Sequence, residues 1–175
     1  MALGVLVGVP HAYGLIRPKE FAALVRKLPR SVPAGAVLML LGTVWFLAYL
    51  QQESISDFAS FKPVLLAGFG AVGVASCFFV QDFLGARGAA VVMLLLAKLM
   101  VDTARWAETD WRLVIVTWAY LLAVAGIWFT IWPWHLRDVI IWATASERRV
   151  RILSAVRLAG GLFVAGLGMT VFRAG

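Results

Sequence analysis

Leu113–Trp132 reads LVIVTWAYLLAVAGIWFTIW, a run without a single Asp, Glu, Lys or Arg. An α-helix rises about 1.5 Å per residue, and roughly 20 apolar residues cross the hydrocarbon core of a bilayer. The run is therefore one span long. Similar stretches recur at Ala34–Leu50, Val64–Phe83, Gly88–Trp106 and Ile152–Phe172, with a shorter one at Ala2–Ile16, and together they fill most of the 175 residues. Hydrophobic residues make up 62% of the chain and charged residues 14%. A soluble domain needs a larger polar face than these segments leave. The expected fold is an all-α membrane protein, a polytopic bundle of six transmembrane helices forming one integral membrane domain over residues 1–175. The count falls to five if Ala2–Ile16, short and interrupted by Pro10, does not cross. No Lys or Arg precedes that first stretch, which argues against a secretory signal peptide.

The net charge of +7 would suit a nucleic-acid partner, but its distribution does not. Arg17, Lys19, Arg26, Lys27 and Arg30 lie between the first two spans. Arg137, Arg148, Arg149 and Arg151 lie between the last two. Glu53, Asp57 and Lys62, and then Glu108 and Asp110, occupy connections on the other side of a six-span path. Short basic loops stay cytoplasmic, so both termini are expected outside, in the periplasm of a bacterial inner membrane; Arg173 runs mildly against this. Trp45 and Tyr49, Trp106 and Trp111, and Trp128, Trp132 and Trp134 fall at span ends, as an aromatic belt requires.

Two connections have helical periodicity. In Lys19–Leu28 the residues Phe21, Leu24, Val25 and Leu28 recur at helical spacing, while Arg26 and Lys27 lie off the stripe. After Pro133, Leu136, Val139, Ile140 and Ala143 share a face. Both are expected to be amphipathic helices on the cytoplasmic surface, with their cations among anionic lipid headgroups. The connection Gln51–Pro63 reads as a short external loop.

Ionisable groups inside a span are costly and therefore candidate functional residues. Lys98 lies within an apolar run, Asp102 follows one turn later on the same face, and Arg105 continues the row. The pair is either a self-neutralising structural bridge or a proton- or ion-responsive element. Asp82, beside Gln81, is expected in a tight cytoplasmic turn with Gly85 and Arg87. Asp138 suits the first turn of the helix after Pro133. His11 and His135 are weak candidates for axial haem ligands. The lone Cys77 gives neither a disulfide nor a metal pattern, and no metal or other cofactor is expected.

Small residues supply the remaining signal. Gly4 and Gly8 are spaced as GxxxG; Gly68 and Gly73 accompany Ala67, Ala71 and Ala75; Gly161 and Ala165 repeat in the last span. Such faces let helices approach closely, either within one bundle or against a partner. The sequence has no phosphate-binding glycine loop, zinc-protease motif, CxxC or paired-carboxylate cluster. The expectation is a non-catalytic inner-membrane subunit or scaffold, partnered by other membrane subunits or by copies of itself. A small homo-oligomeric transporter or channel with Lys98 and Asp102 in its path is the second reading, and a haem- or quinone-binding redox subunit the third.

Overall fold

A computed structural model describes residues 2–53, 60–106 and 109–170. Asp57, Glu108 and Arg173, which entered the charge argument, lie outside the described residues, as does most of the connection after Gln52. Among the described residues every regular element is helical. The helices are α1 (Ala2–Ile16), α2 (Pro18–Lys27), α3 (Val32–Gln52), α4 (Lys62–Phe79), α5 (Leu84–Arg105), α6 (Arg112–Ile131), α7 (Pro133–Ala143) and α8 (Glu147–Thr170), with a 3₁₀ turn at Leu28–Arg30.

Proline marks several helix starts. Pro18 and Pro133 open α2 and α7, and Pro33 and Pro63 lie in the first turns of α3 and α4. A first-turn proline sacrifices no intrahelical hydrogen bond. Ser31 caps α3, its hydroxyl accepting from the Ala34 N–H at 3.3 Å. Pro10, by contrast, lies inside α1 and removes one backbone donor there.

Among the described residues, four helices are long and apolar enough to span a membrane: α3, α4, α5 and α6, with 21, 18, 22 and 20 residues and mean hydropathies of 1.8, 1.6, 1.9 and 2.1. At the α-helical rise these lengths are about 27 to 33 Å, matching a bilayer core. At 15 residues α1 is shorter. The long helix α8 opens on Glu147, Arg148 and Arg149 before its sequence turns apolar.

Helix ends differ from the hydropathy boundaries for local reasons. The fourth helix stops at Phe79 rather than running to Phe83, because Val80 leaves helical geometry at φ −120°, ψ 56°, and Phe83 at φ 54° then turns the chain into α5. α8 begins five residues before Ile152, since Ser146 starts it: the Ser146 carbonyl accepts from Val150 N–H at 3.1 Å and its hydroxyl from Arg149 N–H at 3.3 Å. Hydropathy registers neither the left-handed turn nor the cap.

The chain forms two compact units. One comprises Leu28–Ala97 and Leu122–Leu136. Here α3 packs on α4 and on the first half of α5, around Met39, Cys77 and Leu84. Glycines set these approaches. A Cβ at Gly73 would collide with the Thr43 side chain, and one at Gly35 would lie 2.6 Å from Gly85 N and from Leu84 C. One at Gly88 would lie 2.8 Å from Leu38 Cβ. The Gln81–Phe83 turn leads into α5, with Leu84 N–H donating to the Gln81 carbonyl and Arg87 N–H to that of Phe83. Phe83 is buried, and the Arg30 guanidinium lies 4.9 Å from its ring centroid. A bulky residue at positive φ costs of order 1–3 kcal/mol; ring burial and the cation over its face oppose that cost.

The other unit comprises Met1–Lys27, Lys98–Leu121 and Arg137–Gly175. Its main feature is α1 packed along α8 in antiparallel register: Gly8 faces Leu158 and Gly14 faces Ser154. α2 packs against α1 and α8, burying Pro18. Phe21 and Val25 are partly covered, while Leu24, from the same sequence stripe, is exposed.

Candidate functional site

Lys98 and Asp102 are brought together. One helical turn apart on α5, they form an ion pair with Nζ 2.9 Å from Oδ2, and their side chains are 42% and 43% exposed. Arg105, the third member of the row, is exposed at the helix end. Thr103, next to Asp102, donates its hydroxyl to the Leu99 carbonyl at 2.7 Å, a bond any apolar helix offers. Asp82 is exposed in the turn before α5. Arg87 lies in the first turn of α5 with its Nε buried and without a hydrogen-bond partner.

The two histidines belong to different units. His11 Nε2 is 3.4 Å from Arg157 Nη1, and its ring tilts against Phe21 with centroids 5.9 Å apart. His135 stands among three indoles, its centroid 5.7, 6.1 and 5.8 Å from those of Trp128, Trp132 and Trp134, and its Nδ1 is buried without a partner. The described residues contain no group of three or more His, Cys, Asp or Glu side chains placed to hold a metal ion.

The glycines singled out by spacing have different environments. Gly73 is pressed against Thr43, Gly8 makes ordinary contact with Leu158, and a Cβ at Gly68 would meet nothing within 4 Å. Gly161 and Ala165 are buried, and Gly4 lies in α1. A tighter approach, at Gly85, falls outside the repeats singled out by spacing: a Cβ there would sit on the Leu28 carbonyl oxygen. A usable signal was present in the seven-residue interval from Gly35 to Gly42 and in the Gly85–Gly88 pair.

A polar cleft had no signature in the sequence. Between α2 and the α7–α8 turn lies a cavity of about 400 Å³ lined by Lys19, Ala22 and Arg26 on one side and Thr144, Ser146 and Glu147 on the other. Arg26 spans it with two hydrogen bonds, donating from Nε to Thr144 Oγ1 at 2.7 Å and from Nη2 to the Thr144 carbonyl at 2.6 Å. Lys19 Nζ stands 3.4 Å from Glu147 Oε1 at the exposed mouth. The nearby carboxylate Glu20 is engaged elsewhere. It accepts from the Tyr13 hydroxyl at 2.6 Å and from Arg17 Nη1 at 2.8 Å, and these bonds, Tyr13 foremost, hold it below the usual carboxylate range.

No protein family, no curated protein and no solved structure matches this chain.

Proposed function

We propose that the protein is a non-catalytic integral subunit or scaffold of a bacterial inner membrane, and that α4 presents a small-residue face to another transmembrane helix. The observation supporting this is the uneven use of α4. It turns Gly73 and Cys77 inward, yet only 6% of its apolar window is buried, and Ala67, Gly68 and Ala71 are exposed. Without a hydrophobic driving force between helices in lipid, close packing over small residues is what holds them together. In this reading α1 and α8 complete six spans, α2 and α7 lie along the cytoplasmic surface, and both termini are periplasmic. The basic connections favour that orientation.

The two glycine environments of α4 provide the test. Gly68→Leu and Ala71→Leu are expected to remove the partner, or a second copy, from the complex seen by native mass spectrometry of membrane-extracted protein, while leaving the protomer's melting temperature unchanged. Gly73→Leu, set against Thr43, is expected to destabilise the protomer itself by about 1–3 kcal/mol or more through overpacking. If Gly68→Leu and Ala71→Leu leave the native mass as in the wild type, the exposed face of α4 meets only lipid and the reading fails.

A small homo-oligomeric transporter with Lys98 and Asp102 in its path remains the second reading. It is favoured by an ion pair on α5, a helix long and apolar enough to span.

A further inference from the structure

We propose that the cleft between α2 and the α7–α8 turn binds the phosphodiester headgroup of an anionic glycerophospholipid. Its position is the first argument. The apolar α1 gives way to charge at Arg17, and the antiparallel α8 turns from densely charged to mainly apolar after Arg151, Arg157 being its one later charged residue, so at both helices the cleft lies where mainly apolar sequence meets a cluster of charge. In a bilayer that is the depth of the phosphates.

The lining is the second argument. Lys19 and Arg26 contribute two cations and Glu147 one carboxylate, an excess of one positive charge that a phosphodiester monoanion neutralises. Glu20, the other acid of α2, is held by Tyr13 and Arg17 and does not line the cleft. Arg26 is fixed by its Nε and Nη2 bonds to Thr144. A guanidinium carries five N–H donors in a rigid fork, so donors remain for phosphate oxygens with little further loss of side-chain freedom. Ser146 offers a hydroxyl, and Glu147 accepts from the glycerol hydroxyls of a phosphatidylglycerol-type headgroup. A volume of about 400 Å³ falls in the range of small-molecule sites.

The remaining cations serve as the internal control. Arg148 and Arg151 are exposed and do not line the cleft. General attraction of a basic loop to an anionic surface makes every cation worth about 1 kcal/mol, roughly fivefold in affinity; a built site does not.

The experiment is native mass spectrometry of the full chain released from nanodiscs of equal phosphatidylglycerol and phosphatidylethanolamine, with melting temperature followed in parallel. One phosphatidylglycerol per chain is expected to be retained. Lys19→Gln with Arg26→Gln is expected to reduce retention at least tenfold, and Arg148→Gln with Arg151→Gln to leave it near the wild-type level. Because Arg26 also ties α2 to Thr144, Lys19→Gln alone is the folding-neutral variant, with an expected loss of about fivefold where Arg148→Gln alone loses nothing. Equal losses from both double variants would show diffuse charge attraction and overturn the proposal. Undiminished retention in Lys19→Gln, or retention of phosphatidylethanolamine as readily as phosphatidylglycerol, would also overturn it. If sn-glycerol 3-phosphate displaces the lipid and stabilises the detergent-purified protein by itself, the ligand is a soluble phosphate ester and the lipid assignment is wrong.

Discussion

Gly85→Ala is expected to cost about 3 kcal/mol or more and to lower the melting temperature of the detergent-purified protein well below the wild-type value. The added methyl carbon would occupy the position of the Leu28 carbonyl oxygen and lie 2.9 Å from that residue's carbonyl carbon and 3.2 Å from that of Pro29. These are backbone atoms, which cannot swing aside as a side-chain end does. They are also held in place: Pro29 is fully buried, Leu84 beside Gly85 has 0% exposure, and Gly35 brings α3 against the same turn. Relief therefore requires α5 to withdraw from both the 3₁₀ turn and α3, losing contacts around Leu84. Gly68→Ala is the matched control. Nothing lies within 4 Å of the new carbon there, and an alanine in a helix interior gains roughly 0.5–1 kcal/mol over glycine from backbone entropy. Thermal unfolding of both variants checks the contrast. A Gly85→Ala protein that melts with the wild type would mean that the start of α5 does not approach Leu28 this closely.

The same contrast shows what the sequence makes legible. Run length and scarcity of charge identify α3, α4, α5 and α6, because crossing lipid is a one-dimensional requirement on a segment. Helical spacing likewise places Lys98 one turn before Asp102, and the ion pair forms. Spacing does not reveal what lies opposite. Gly68 and Gly73 carry the same sequence signal, yet one faces open space and the other Thr43. Nor does periodicity connect distant segments: Arg26 and Thr144 are 118 positions apart, and neither belongs to a motif. The positive φ at Phe83 is the least expected feature, since glycine or asparagine is the usual occupant of such a turn. Its stability comes from burial and from Arg30, not from local preference.

The Lys98–Asp102 pair gives the second large effect, and its size separates the two functional readings. In water a half-exposed i,i+4 bridge is worth less than about 1 kcal/mol, and the order here, cation N-terminal to anion, is the weaker one. In hydrocarbon the ion pair matters differently. Removing one partner leaves the other charge without this bridge, and a charge at mid-span costs about 2.5–3.5 kcal/mol to insert. Asp102→Leu is expected to destabilise the protein by about 3 kcal/mol, and Lys98→Met by less, because Asp102 lies in the last turn of α5. The double variant Lys98→Met with Asp102→Leu is expected to equal or exceed the wild type, as when an ion pair in an apolar setting is replaced by apolar side chains. A double-mutant cycle measured by unfolding in bicelles reads this directly: a coupling equal to the sum of the two single losses, above about 3 kcal/mol, places the pair in lipid or protein interior, and one below about 1 kcal/mol places it in water. The function of the double variant then decides between the readings. A subunit or scaffold needs the pair only for its own stability, so the stable double variant assembles and complements a deletion strain like the wild type. A transporter that uses the pair to bind or relay an ion loses complementation in a protein that still folds and assembles. That second outcome would overturn the scaffold assignment and make the polar row on α5 the working part of the molecule.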